Sequence, residues 1–123
     1  MKKKCVTACA IAVCIIAFST LSSMAATKVN FSLNYTGTST GNVLSQTKGI
    51  DASGSNYRAH CNWATGGCKV KISFYNGPSS SELGTNQTVT ITRSPSSGNT
   101  NVTGTLKHGT SSGGASAYVE KMY

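Results

Sequence analysis

The stretch Tyr57–Tyr75, YRAHCNWATGGCKVKISFY, carries the fold. Two runs of alternating apolar and polar residues flank a Gly-Gly pair. In the first, Tyr57, Ala59, Cys61 and Trp63 share one face of a period-2 strand, and Arg58, His60 and Asn62 share the other. In the second, Cys68, Val70, Ile72 and Phe74 lie opposite Lys69, Lys71, Ser73 and Tyr75. Pairing Cys61 with Cys68 sets Ala59 against Val70 and Tyr57 against Ile72, so both apolar faces coincide, as in a half-buried antiparallel hairpin. The register also predicts a Cys61–Cys68 disulfide, worth about 2.5 kcal/mol by loop closure. Strict pairing would put Ala64-Thr65 at the tip, where positive φ is needed. Gly66 or Gly67 is therefore expected to take that conformation in a bulged loop, with Trp63 leaving the ladder.

Outward from this stretch, Lys28–Tyr35 (KVNFSLNY) alternates without a fault, with Val29, Phe31, Leu33 and Tyr35 inward. Val43–Ile50, Gln87–Arg93, Val102–His108 and Ala115–Met122 are further short strands, separated by Gly/Ser/Thr/Asn-rich connections. Ser80–Leu83 has room for one helical turn. Six or seven short strands without a long helical pattern imply an all-β domain, a sandwich or a small barrel. The expectation adopted is a small antiparallel β-sandwich with one hairpin disulfide.

Residues 1–25 read as a cleaved secretory signal peptide: MKKK, an apolar run interrupted by small residues, then SSMAA. Cleavage after Ala25 places Ser23 and Ala25 at the small-residue positions; Ala26 is the alternative. Residues 26–123 then form one secreted domain. Cys5, Cys9 and Cys14 leave with the signal, and the two remaining cysteines suit an oxidising compartment. The whole chain carries a formal charge of +8. Most of that excess survives cleavage, because the signal takes only Lys2, Lys3 and Lys4 with it, leaving eight basic residues against Asp51, Glu82 and Glu120. Such a domain is drawn to anionic surfaces: wall polymers, headgroups or acidic glycans.

The polar and aromatic residues bear on four kinds of chemistry. In the hairpin register Arg58 faces Lys71 and His60 faces Lys69, a stripe suited to an anionic polymer or membrane surface, or a solvated edge face guarding against aggregation. Zinc is disfavoured at His60, Cys61, Cys68 and His108, since adjacent His60 and Cys61 point to opposite strand faces and the cysteine spacing is too wide for a knuckle. Asp51, His60 or His108 and a serine name a triad only on paper, since no G-x-S-x-G frames any serine. The three carboxylates make a poor glycosidase pair. Trp63 with Tyr57, Tyr75 and Tyr118 could form a sugar-stacking or interfacial platform, or simply fill the core. Nucleic acid is disfavoured by the secretion signal. The triplets at Asn30, Asn34, Asn86 and Asn101 matter only in a glycosylating host.

With a lysine-led signal, a Ser/Thr/Gly/Asn-rich chain of short strands and an aromatic end, AYVEKMY, the protein resembles the small secreted β-sandwich proteins of Gram-positive bacteria, including the lactococcin-972-type bacteriocins. The resemblance is one of layout over the whole chain. The cysteine pair is not part of that family's pattern, and no functional residue carries over. It implies a secreted protein that binds a wall precursor in the envelopes of related bacteria. The resulting expectation is a secreted, non-catalytic, cofactor-free binding protein that is bacteriocin-like and cationic. Arg58, His60, Lys69 and Lys71 would contact an anionic envelope component, and Trp63 would serve as anchor. The alternative is an adhesin-like or matrix-associated module binding glycan or a host protein.

Overall fold

Strict alternation over Lys28–Tyr35 buries Val29, Phe31 and Leu33 and leaves Lys28, Asn30, Ser32 and Asn34 exposed, and this segment forms the first strand, β1. The computed structural model describes residues 26–109 and 112–123. The proposed signal, with Cys5, Cys9 and Cys14, lies outside them. Six more strands follow: β2 (Gly41–Asp51), β3 (Asn56–Ala64), β4 (Lys69–Phe74), β5 (Thr88–Thr92), β6 (Asn99–His108) and β7 (Gly113–Lys121). They make two antiparallel sheets, one in the order β1-β7-β3-β5 and one in the order β2-β6-β4. The chain is an all-β sandwich.

The core lies between the layers. Tyr57, Phe31, Ile50, Ile72, Leu83, Leu106, Val70, Val102 and Val119 are fully buried there. Phe31, from the four-stranded sheet, packs against β6 where Gly104 leaves room: a Cβ at Gly104 would stand 2.8 Å from the ring's Cγ. The free edge of β4 is covered by the segment that follows it. Val70 and Leu83 exchange backbone hydrogen bonds (3.0 and 2.7 Å), and the Ile72 N–H donates to Ser80 Oγ at 2.9 Å. The segment containing Ser80–Leu83, for which a helical turn was considered, is therefore extended, and Leu83 enters the core. Covering an edge in this way removes a row of unpaired backbone groups from solvent.

The expected hairpin is not present. β3 pairs with β5 and β7, whereas β4 pairs with β6 in the other sheet. Ala59 faces Val89 and Val119 instead of Val70, and Ile72 faces Gly104 instead of Tyr57. The reason is physical. Inner faces of both layers are apolar, so two consecutive runs with matching apolar faces can meet across the core as well as along a ladder. The connection makes the crossing: Gly66 (φ 64°) and Gly67 (φ 72°) both adopt positive φ, and the Cys68 N–H closes on the Thr65 carbonyl at 3.0 Å. Cys61 faces Ala117 in its ladder, and Cys61 and Cys68 are both buried free thiols. The staple drawn across a β3–β4 ladder has no ladder to cross.

At one end of the sandwich Lys121 of β7 reaches Asp51 of β2, Nζ to Oδ2 3.0 Å, joining the two layers. The Ser53 N–H also donates to Asp51 Oδ1 at 2.9 Å. Hydrogen bonds from Ser53, then from Lys121, hold the Asp51 carboxyl at about 2, against an ordinary 3.8. A carboxylate so depressed contributes stability above its unfolded value and loses it as pH falls through the folded one. Acid unfolding should therefore show a loss of stability between about pH 4 and pH 2 that D51N largely lacks, measured by denaturant midpoints along a pH series. In the core, G104A should lower unfolding free energy by about 1–3 kcal/mol through overpacking against Phe31, read by chemical denaturation. An unchanged midpoint would show that the sheets can slide to accommodate a methyl.

Candidate functional site

The outer face of the β1-β7-β3-β5 sheet is built by register. One row runs Lys28, Glu120, Arg58, Thr90, and the next runs Asn30, Tyr118, His60, Thr88. In an antiparallel pair, directly opposed residues share a face. Since Ala115, Ala117 and Val119 of β7 are buried, Ser116, Tyr118 and Glu120 point outward. The third row contains Ser32, Ser116 and Trp63.

Trp63 reaches this row through a β-bulge. Between Cys61 and Trp63 the register with β7 shifts, so Asn62 and Trp63 together stand against Ser116. The extra residue reverses the alternation. By simple period-2 reading Trp63 belongs to the buried set with Tyr57, Ala59 and Cys61; instead it is 40% exposed and stays in the ladder. The bulge is braced from both sides. The Cys61 N–H donates to the Gln87 carbonyl (3.0 Å), the Asn86 N–H to the Cys61 carbonyl (2.8 Å) and the Ala64 N–H to Thr85 Oγ1 (2.9 Å). On the β7 side Asn62 Nδ2 donates to Ser116 Oγ at 3.3 Å. Beneath the bulge, the Cys61 thiol donates to the Trp63 carbonyl at 3.3 Å, and burial pushes that thiol's pKa up, keeping it a donor.

Beside Trp63 lie two more rings. His60 and Tyr118 sit with centroids 5.3 Å apart, tilted by 38°, and the Lys28 ammonium stands 4.3 Å from the centre of the Tyr118 ring. His60 Nδ1 is hydrogen-bonded to Thr88 Oγ1 at 2.6 Å, which orients the imidazole. Arg58 pairs with Glu120 at 3.4 Å, both half exposed. The result is a sheet face carrying three aromatic rings in adjacent rows, bordered by hydroxyls, amides and a few charges.

Of the residues singled out from sequence, Arg58, His60 and Trp63 lie on this face. Lys69 and Lys71 lie on the outer face of the other sheet, where Lys69 opposes Lys107 and Lys71 opposes Thr105. The sandwich separates the four residues of the expected stripe into two pairs on opposite sides. Among the tyrosines considered for a platform, Tyr118 joins Trp63, Tyr57 is fully buried, and Tyr75 is exposed next to the three-stranded sheet. Lys28 and Asn62 were missed, because their role depends on β1-β7 pairing and on the bulge. The groups considered for a triad stand apart in their bonding: Asp51 with Ser53 and Lys121, His60 with Thr88, and His108 buried with Nδ1 2.6 Å from the Ser39 carbonyl. Among the described residues no three His, Cys, Asp or Glu side chains converge as metal ligands.

No protein-family model and no curated protein matches the chain. Among solved structures it is similar to a family two carbohydrate esterase from Cellvibrio japonicus, at 16% identity and a TM-score of 0.38. That match covers 78% of this chain and 34% of the esterase chain, so the protein spans about a third of its length. It is also similar to the CBM36-1 domain of a multidomain xylanase from the hindgut metagenome of Trinervitermes trinervoides, at 13% identity and a TM-score of 0.39, over 77% of this chain and 98% of that one.

Proposed function

We propose that the protein is a secreted, non-catalytic glycan-binding module, and that the outer face of β1-β7-β3-β5 is its binding surface. The observation that carries this is the bulge that turns Trp63 out of the core and onto the face that holds Tyr118 and His60. A pyranose ring presents an apolar C–H face and a rim of hydroxyls. The exposed Trp63 ring and the partly exposed rings of Tyr118 and His60 answer the first, and Asn30, Asn62, Ser32, Ser116 and Thr88 answer the second. An exposed tryptophan held by hydrogen bonds on both flanks is also preorganised, which reduces the ordering cost of binding. An envelope-directed, bacteriocin-like role is compatible with the same surface if the target is the sugar portion of a wall component. It would not rest on one stripe of Arg58, His60, Lys69 and Lys71, because these occupy two faces.

The test is depletion of the purified protein by a panel of insoluble polysaccharides. Covering roughly 60 Å² of indole is worth about 1.5 kcal/mol at 25 cal/mol per Å², or about tenfold in affinity. W63A is therefore expected to weaken binding to any retained polysaccharide about tenfold. Some loss of thermal midpoint is expected as well, since part of the side chain is covered, but the variant should still fold cooperatively because the side chain is outside the core. Y118A should weaken it as well. Retention of both variants at wild-type affinity would remove this face as the site.

A further inference from the structure

The opposite face differs in chemistry. On the outer side of β2-β6-β4, Lys69 and Lys107 are direct partners on neighbouring strands, so their Cα atoms are about 4.5–5.5 Å apart. Lys71 follows two residues along β4 on the same side, about 6–7 Å from Lys69. Like charges set directly opposite each other are unfavourable in a sheet. Glu82 offsets one of the three, pairing with Lys107 at 3.2 Å, and among the described residues Lys69 and Lys71 make no ion pair.

Next to these ammonium groups runs a field of hydroxyls. Lys71 opposes Thr105, Thr105 opposes Ser45, and Ser73 opposes Thr103. Thr47 and Thr103 share a hydrogen bond of 2.8 Å, as do Ser73 and Ser79 at 2.9 Å. A second register shift, between Asn42 and Leu44, opens a shallow cavity of about 260 Å³ lined by Asn42, Val43, Leu44, Ser45, Thr103 and Thr105.

We propose that this face is a second binding surface, independent of the aromatic one, and that it takes a linear phosphate-bearing polymer across Lys69, Lys71 and Lys107 with its neighbouring units in the adjoining cavity, where Ser45, Thr103 and Thr105 supply hydroxyls. Phosphate fits better than carboxylate because the donors are compact ammonium charges and hydroxyls. The planar arginine fork, which grips carboxylate and phosphate alike, is absent from this face, leaving the point charges by which lysine commonly binds phosphate: Arg58 is on the other sheet's face, and Arg93 donates to the Ala52 carbonyl at 2.7 Å. A polymer fits better than a bilayer because the apolar side chains nearest the lysines, Val43 and Leu44, are partly buried against the core and do not project for insertion. The exposed aromatic Tyr75 lies four residues along the chain from Lys71 and six from Lys69, about 13 and 20 Å away. With glycan on one face and a polyanion on the other, the module would bridge two polymers.

Titration of the full protein with long-chain inorganic polyphosphate at low salt tests this. Binding should be salt-sensitive and tighter than to polygalacturonate or to phosphatidylglycerol vesicles. K69Q/K71Q should weaken it about tenfold or more, whereas K28Q/R58Q, which removes the same charge from the other face, should change it by less than about twofold. W63A should leave polyphosphate binding intact, so that failure of the glycan site and failure of this one are read separately. Equal losses in the two double variants would assign the effect to net charge and overturn the site. Equal or tighter binding to polygalacturonate would overturn the phosphate assignment, and preferential binding to vesicles would overturn the polymer.

Discussion

The contact between the Phe31 ring and the bare backbone of Gly104 governs how closely the two layers approach. Phe31 is a large core side chain, and it projects from an edge strand of one sheet onto the central strand of the other. A side chain at position 104 would push the sheets apart, and the smaller residues around it would lose their contacts. Ala59, Ala115 and Ala117 on the four-stranded side are fully or almost fully buried. Such small side chains can be packed out only if the facing sheet sits near. The core is modest in volume, and closeness does the work that bulk would do in a larger domain.

Two irregularities in otherwise regular ladders shape the outer surfaces. The shift at Cys61–Trp63 reverses which way Trp63 points, and the shift at Asn42–Leu44 opens the cavity on the opposite side. Both are single-residue insertions, and each alters chemistry on one outer face without disturbing the buried one. A binding face made in this way is rigid, since each side chain rises from a hydrogen-bonded strand instead of a loop.

Much of the secondary structure was legible. Short β-prone runs between turn residues marked all seven strands, and alternation was clear where one face is buried and the other solvated, as in β1, β3 and β4. It assigned Val29, Phe31 and Leu33 inward and placed Arg58 and Lys71 outward. Partner choice was not legible. The coincidence of apolar faces in Tyr57–Tyr75 is satisfied equally by a hairpin and by two strands facing each other across a core, and only the remaining strands compete for the ladders. β7, late in the chain, takes the position beside β3 that the hairpin would have given to β4. With it come Tyr118, Glu120 and Ser116, distant in sequence and adjacent on the surface.

Local composition and periodicity determined the class of fold, the inward and outward sets along each regular strand, and the basic character of the chain, since these depend on neighbouring residues and on the two-residue repeat of a strand. Tertiary structure alone decided that Lys69 and Lys71 stand on the opposite side from Arg58 and His60, and that Trp63 faces solvent from within the ladder. The physical reason is the same in both cases. Sheet membership and register are set by competition among long-range hydrogen-bonded pairings and by packing of two layers over one core, and a period of two along a single strand carries no information about either.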